Sequence, residues 1–173
     1  MKTISTIFLL IFNLVNIQQS EFELKEFYNA KGILINDYEN WPFLFANNKF
    51  STKYRVNISE AIEAEKYIQT NYYIYKRNEL NHFKSDYDVN SFKNPMNVKK
   101  KFKNYNRQYS GFRDQNNDTI IYVGMLNFKN KKKANDYFGV WKESLILGNG
   151  DWYYSNQEYF LYNLSKQKLE NTF

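Results

Sequence analysis

Two lysine-rich tracts contain the residues whose types and spacing most directly suggest chemistry. They are VKKKFK at 98–103 and KNKKK at 129–133, and the first is interleaved with the rings of Phe102, Tyr105 and Tyr109. Ammonium groups attract phosphates, sulfates and carboxylates, and aromatic rings can stack on bases. If the two tracts lie at the same end of a sheet, they form one cationic patch. The candidate contacts are Lys99, Lys100, Lys101, Lys131, Lys132 and Lys133.

A second candidate surface is aromatic. Trp152, Tyr153 and Tyr154 are consecutive, and Trp141 and Tyr159 lie nearby in the sequence. An exposed group of such rings marks a contact site and could stack on sugars. The alternative is that the rings form the core, because aromatic side chains bury large areas. The lysine tracts also have alternatives: solvated loops, an anionic surface or glycan, and nucleic acid all fit, since charge alone does not identify a partner.

Titratable residues do not form a recognisable catalytic set. His82 stands near Glu79 and Asp86, which could orient it as a general base, but no nucleophile elbow or phosphate-binding glycine loop accompanies it. Glu65 lies beside the apolar stripe of a predicted helix, where we expect a boundary residue that reaches solvent. We therefore assign no catalytic residue.

Metal and thiol chemistry is limited by composition. The chain has no cysteine and one histidine, which excludes disulfides, thiol nucleophiles, Fe–S clusters and a zinc site with two or more histidines from a single chain. The motifs NNDT and GNGD lack the acid density of an EF-hand loop, and turn chemistry accounts for them. No metal site and no cofactor is predicted.

The first twenty residues have the order of a secretory signal. Lys2 precedes a mostly apolar run at 4–17 and the polar Gln18, Gln19 and Ser20. The run is shorter than the ~20 residues that span a bilayer. The alternative is an uncleaved anchor or a buried helix. We expect residues 1–20 to be removed, and the net charge then falls from +6 to 23 − 18 = +5, because only Lys2 is lost.

Export defines the expected compartment. We predict a periplasmic or secreted protein with no transmembrane span after signal removal, and not a lipoprotein, because there is no cysteine to lipidate. A location outside the cytoplasm disfavours nucleic acid as a partner. The basic balance still favours anionic partners, such as an acidic glycan or a membrane surface.

The mature chain, 21–173, is predicted to be one α+β domain. NISEAIEAEKYI, from Asn57, has an N-cap and a capping-box Glu60, followed by apolar residues at helical spacing. Residues 72–106 are polar and poorly periodic, so we expect an irregular insertion there, which a short second helix at 77–84 would interrupt. RQYSGFRD, TIIYVGMLNF, WKESLIL and WYYSNQEYFLYNL are predicted strands, joined by the turns QNND and GNGD and the basic loop NKKKAND.

These elements predict one main helix packed on a four-stranded antiparallel meander. The segments "NRQYSGFRDQNNDTIIYVGMLNF" and "WKESLILGNGDWYYSNQEYFLYNLSKQKLENTF" resemble an uncharacterised family of small exported proteins of Bacteroidota-type bacteria. The shared features are an RQY-G strand, a WK strand, a Gly/Asp turn and a final Y-F-x-x-NLSK strand. The resemblance spans 50–173 and implies a fold and an exported location, but no active-site residues. The order of helix and meander is also similar to cystatin-like domains, which is a likeness of fold alone.

The predicted function is an exported, non-enzymatic domain that binds an extracellular or periplasmic partner, either a protein or a glycan. The alternative is a small hydrolase that acts on glycans through paired carboxylates, for which Asp151 and Glu158 are candidates. The two predictions differ in what a structure should contain. A binding domain needs a coherent basic or aromatic patch, whereas a hydrolase needs carboxylates that converge in a pocket.

Overall fold

The structure, a computed structural model, describes residues 21–25, 30–36, 50–83 and 98–170. The described strands are β1 (Glu21–Leu24), β2 (Ala30–Leu34), β3 (Thr52–Tyr54), β4 (Tyr105–Arg113), β5 (Thr119–Asn127), β6 (Gln157–Asn163) and β7 (Lys168–Glu170). The described helices are α1 (Ile58–Phe83), α2 (Val98–Lys101), α3 (Lys131–Phe138) and α4 (Asp151–Asn156). The predicted signal at 1–20 lies outside these residues.

The strands form a mixed sheet with the order β1-β2-β4-β5-β6-β7. Strands β4 to β7 pair antiparallel with their neighbours in sequence, whereas β2 runs parallel to the first half of β4 and β3 pairs with its second half. The α+β class is therefore confirmed. The sheet is wider than the predicted four strands, and the cystatin-like arrangement stays a prediction.

Helix α1 begins at a capping box. The Asn57 side-chain oxygen accepts a hydrogen bond from the Glu60 N–H at 3.1 Å, and Glu60 Oε2 accepts one from the Asn57 N–H at 3.0 Å. This reciprocal pair satisfies N–H groups that have no partner within the helix. The predicted start of the helix is thus confirmed.

The helix is longer than predicted. It continues without a break to Phe83, so the irregular insertion predicted at 72–106 was wrong for most of its described residues. After the residues 84–97, which lie outside the described ones, come α2, a turn at 102–104 and the start of β4. Ile68, Tyr72 and Tyr75 are buried at helical spacing and face the sheet. The helix continues because Ile68, Tyr72 and Tyr75 extend its apolar stripe past the polar residues that lie between them in the sequence.

The sheet is covered on both faces. Along β5, Ile121, Val123 and Met125 pack in the cluster beneath α1, while Leu126 packs in the cluster that contains Ala134 of α3. Alternate residues of one strand therefore serve two layers, as a pleated strand buried on both sides requires. This double burial explains why TIIYVGMLN reads as a continuous apolar run.

The second layer differs from the prediction. NKKKAND, predicted as a loop, lies largely in α3, and WKESLIL at 141–147 is not a strand. The residues after GNGD form α4 before β6 begins at Gln157, so GNGD is not a hairpin turn. Buried Gln108 explains the irregular path: its Oε1 accepts from Ile146 N–H at 2.9 Å, and its Nε2 donates to Ser144 O at 2.7 Å. These side-chain hydrogen bonds satisfy backbone groups that would pair with a neighbouring strand if the segment were a strand.

A buried ion pair joins α1 to β4. Glu65 is 1 % exposed, and its Oε1 accepts hydrogen bonds from Arg107 Nε at 3.1 Å and Tyr109 OH at 2.8 Å. The expectation that Glu65 reaches solvent was wrong, because Arg107 provides a buried counter-charge that the linear sequence does not reveal. Burial, together with the Glu65 carboxylate, raises the pKa of Tyr109 well above its usual range.

Arg107→Met is expected to destabilise the fold by about 3–5 kcal/mol, because it leaves the Glu65 carboxylate buried without a cation. The double variant Glu65→Leu/Arg107→Met is expected to recover a large part of that loss, since it removes both charges from the interior. Denaturant unfolding of the wild type, both single variants and the double variant measures the coupling. Additive losses would contradict a coupled pair.

Candidate functional site

Pairing between β4 and β5 brings the two lysine tracts to one end of the sheet. Tyr105, the first residue of β4, faces Asn127, the last residue of β5, and Phe128 N–H donates to Asn104 O at 2.8 Å. Lys103 and Lys129 are the next residues outward beyond the paired ends of β4 and β5. The geometric condition for a joint cationic patch is therefore met.

A hollow of about 300 Å³ lies between the tracts. Its walls combine three lysines, three asparagines, one half-buried aromatic ring and a buried alanine. They are Lys31, Lys103, Lys131, Asn104, Asn106, Asn135, Phe128 and Ala30. A second, more open hollow of about 580 Å³ shares Lys131 and is lined otherwise by Asn127, Lys129, Asn130 and Asn156. We call the two hollows together the Asn/Lys surface.

Helix α3 positions the second tract. Asn130 is its N-cap, and the Asn130 side chain accepts from Lys133 N–H at 3.2 Å. Ala134 and Phe138 are fully buried and attach the helix to the sheet. Consequently Lys131, Lys132 and Lys133 occupy its exposed first turn, where the partial positive charge of a helix terminus disfavours cations.

Charges on the Asn/Lys surface are largely uncompensated. Within the described part of the chain, no carboxylate lies within 4.0 Å of the ammonium groups of Lys103, Lys129 or Lys131. Lys31 differs, because it pairs with Glu21 at 2.5 Å. The surface is therefore a region of positive potential that a bound anion would neutralise.

The three predicted lysines on α2 differ in their surroundings. Lys99 and Lys100 lie on α2 with exposed side chains. Lys101 turns inward instead, where its ammonium pairs with Glu158 and donates to the hydroxyl of Tyr72. The Tyr72 hydroxyl in turn donates to Glu158 Oε2 at 3.1 Å. Lys101 thus fastens α2 to α1 and β6.

Burial and charge shift the tyrosines around this ion cluster. Burial, with the Glu158 carboxylate as a second cause, raises the pKa of Tyr72 far above its usual value. The same two causes, in the same order, raise the pKa of Tyr105 to about 12. Burial lowers the pKa of Lys76, but Glu158 and Glu79 outweigh it, so the net shift is upward.

Two of the three predicted aromatic contacts pack against their neighbours. Trp152 stacks on Tyr137 with ring centroids 4.0 Å apart and planes at 12°, and Tyr153 meets the same ring edge to face at 5.5 Å. Tyr154 is 72 % exposed. Trp141, considered for the same platform, is buried. Tyr137, 42 % exposed, was missed because NKKKANDYF was expected to be irregular around it.

The two carboxylates considered for catalysis, Asp151 and Glu158, have different surroundings. Glu158 belongs to the ion cluster with Lys101, whereas Asp151 is exposed at the start of α4. Asp114 organises the NNDT turn, accepting from Asn116 N–H at 2.8 Å and Asp118 N–H at 2.9 Å. The His82 side chain and Asp86 lie outside the described residues.

The described residues contain neither a metal-binding cluster nor a membrane-spanning helix. They contain no group of three or more His, Cys, Asp or Glu side chains able to hold a metal ion. They also contain no helix that combines the length and apolar character needed to cross a bilayer. Compared with known proteins, the chain matches no family, no curated protein and no solved structure.

The asparagines of the surface were missed by sequence reasoning. Asn occurs throughout this chain, so no single Asn stands out in the sequence as a binding residue. The available signal was local: Asn104 and Asn106 follow the end of one tract, Asn127 precedes the start of the other, and Asn130 lies within it. Strand pairing converts those separate positions into one polar wall.

The stability of the protein is expected to fall between pH 10 and 12. Tyr105 ionises near pH 10 in the unfolded chain but near 12 in the folded state. Below pH 10 the hydroxyl is neutral in both states and has no effect. Above pH 10 the unfolded state loses the proton first, so the free energy of unfolding decreases until the folded state also ionises.

Denaturant unfolding as a function of pH measures this loss. Tyr105→Phe is expected to lose less stability across the window than the wild type. Tyr154→Phe, at an exposed position, is the matched control and should follow the wild type. Identical slopes for wild type and Tyr105→Phe would contradict the burial of this hydroxyl.

Proposed function

We propose that the chain is an exported, non-enzymatic domain that binds an acidic glycan at the Asn/Lys surface. The observation that carries the proposal is the hollow that Lys103 and Lys131 line together with Asn104, Asn106 and Phe128, although the two lysines belong to different tracts and are 28 positions apart in sequence. Their side chains supply three different kinds of contact within about 300 Å³.

Each kind of contact matches one feature of an acidic sugar. The lysine ammonium groups bind a carboxylate or sulfate. The asparagine carboxamides donate to and accept from ring hydroxyls, because each carries both donors and an acceptor. The Phe128 ring offers an apolar face for the C–H face of a sugar. Small-ligand sites combine apolar lining and a few polar groups in the same way.

The location of the lysines supports a ligand rather than simple solvation. Three cations in the first turn of α3 oppose the helix dipole, and within the described residues the ammonium of Lys131 has no carboxylate partner. A bound anion offsets both costs. Nucleic acid is less well supported, because the lining of the two hollows contains one ring, Phe128, rather than the row of rings on which successive bases stack.

The finer fold prediction belongs to the same proposal. A cystatin-like arrangement is supported by one long helix on the sheet and by the antiparallel order of β4 to β7. The parallel pair β2–β4 and the second layer of α3 and α4 are additions to that arrangement. The fold does not determine the function, which depends on the residues of the Asn/Lys surface.

Removal of residues 1–20 during export is the second part of the proposal. Mass spectrometry of the protein purified from the envelope or medium of its native cells is expected to give a chain that begins at Glu21. The intact chain, from Met1, in the cytoplasmic fraction would contradict export. It would also restore nucleic acid as a candidate partner.

Binding to a uronic-acid oligosaccharide is expected to weaken as salt rises from low to physiological concentration, since exposed charges are screened. Lys103→Glu/Lys131→Glu is expected to weaken binding by about tenfold or more, because both charges are reversed at exposed positions. Lys66→Glu, an exposed lysine on α1, is the control and should bind as the wild type. Calorimetry with the uronate oligomer and its neutral reduced form provides the comparison.

Three outcomes would contradict the proposal. The first is equal binding of the neutral and acidic oligomers, and the second is equal loss in the Lys66→Glu control. The third is the release of new reducing ends from the oligomer, because cleavage would show the hydrolase that was the alternative prediction.

A further inference from the structure

The stretch GNGD, at 148–151, contains the single Asn-Gly pair of the chain. Asn149 and Gly150 are both exposed and immediately precede α4. In an Asn-Gly pair the backbone nitrogen of the glycine can attack the side-chain amide of the asparagine, because glycine has no Cβ to hinder the approach. The stretch therefore combines a reactive pair of residues with access to water.

The surroundings of Gly150 leave its backbone nitrogen available. Within the described residues, the Gly150 N–H donates no hydrogen bond. A Cβ on this residue would meet no atom within 4 Å outside its two chain neighbours, so the space beside the backbone is open. Its φ of +107° is unfavourable for residues with a side chain, which accounts for a glycine at this position.

The side chain of Asn149 is bonded through its oxygen. The Tyr154 hydroxyl donates to Asn149 Oδ1, and the Tyr154 N–H donates to Gly150 O at 3.0 Å. Asn149 Nδ2 has no hydrogen-bond partner in the described part of the chain. A donor placed on an amide oxygen stabilises the negative charge that develops there when the amide carbon is attacked. Tyr154 thus polarises the carbonyl, and the amide nitrogen remains free to leave.

We propose that Asn149 is a site of spontaneous deamidation in the folded protein and that the Tyr154 hydroxyl assists the reaction. The Gly150 nitrogen gives its proton to hydroxide and attacks Asn149 Cγ. The Cγ–Nδ2 bond then breaks, and Nδ2 takes a proton from water and leaves as ammonia. Water opens the resulting cyclic imide at one of its two C–N bonds. The products are aspartate and isoaspartate, and the reaction needs no oxidant, cofactor or second protein.

The modification changes the chain just before α4. Both products add a negative charge, and isoaspartate also adds a carbon atom to the main chain. Gly148 is closely confined, because a Cβ there would overlap the Tyr153 ring and its N–H donates to Gln157 Oε1 at 3.1 Å. A longer main chain is therefore expected to loosen the packing of the Tyr153 ring on Gly148.

The test has internal controls in a single peptide. Trypsin releases residues 143–166 together, and this peptide contains Asn149, Asn156 and Asn163. The Asn156 side chain donates to Trp152 O at 2.9 Å, and Asn163 is fully buried. The folded protein is incubated at mildly alkaline pH in ¹⁸O-labelled water, and mass spectrometry then locates each replacement of NH₂ by labelled OH. Asn149 is expected to react about tenfold faster, or more, than either control.

Two comparisons test the contribution of the structure. The rate at Asn149 in the folded protein is expected to lie within about fivefold of the rate in the same chain unfolded in guanidinium chloride. Tyr154→Phe is expected to slow the reaction of the folded protein about two- to fivefold, because its hydroxyl stabilises the oxyanion more than the amide oxygen. Tyr137→Phe, at a second exposed tyrosine of the same aromatic cluster, is the matched control and should react as the wild type.

Three outcomes would overturn the inference. The first is a rate at Asn149 no greater than at Asn156 or Asn163. The second is a folded rate more than about tenfold below the unfolded rate, which would show that the fold protects the pair. The third is equal rates in the wild type and Tyr154→Phe, which would overturn the role of the hydroxyl. Each outcome is independent of glycan binding at the Asn/Lys surface.

Discussion

The ion pair between Arg107 and Glu65 is the constraint on which the architecture depends. It places a charged side chain of the central strand against α1 in the interior, where either charge alone is strongly unfavourable. The next residue, Gln108, points to the opposite face and holds the irregular 141–146 segment by its carboxamide. Two consecutive side chains of β4 thus attach both layers to the sheet.

The β4–β5 hairpin also separates two differently charged ends of the sheet. Residues just before β4 and just after β5 form the Asn/Lys surface, whereas the turn between these strands lies at the opposite end, near Lys166 and Lys168. One end of the hairpin therefore has an excess of positive charge, and at the other end both lysines are paired with carboxylates. A rigid strand pair keeps both arrangements fixed without bonds between them.

Local signals predicted the elements that depend on local physics. The capping box at Asn57 and Glu60 and the apolar run of β5 were read correctly, because the chemistry lies within a few residues. Glu65 was misread because its partner Arg107 is 42 positions away. The 141–147 segment was predicted as a strand from its apolar residues, but it packs as irregular chain because Gln108 satisfies its backbone from the sheet.

The candidate site was predicted in part for the same reason. The lysine tracts are visible in the sequence, but their meeting depends on the β4–β5 register, and the inward turn of Lys101 depends on Glu158, 57 positions away. The packing of Trp152 on Tyr137 depends on two helices that were not predicted. Long-range pairing decides which members of a charged or aromatic tract remain available to a ligand.

Lysine acetylation footprinting in the presence of a uronic-acid oligosaccharide tests the central claim most directly, because it reports on individual ammonium groups in the bound state. Binding at the Asn/Lys surface predicts that Lys103, Lys129 and Lys131 become protected, while Lys66 on α1 reacts as in the free protein. Unchanged reactivity of these three lysines at saturating oligosaccharide, or equal protection of Lys66, would contradict it.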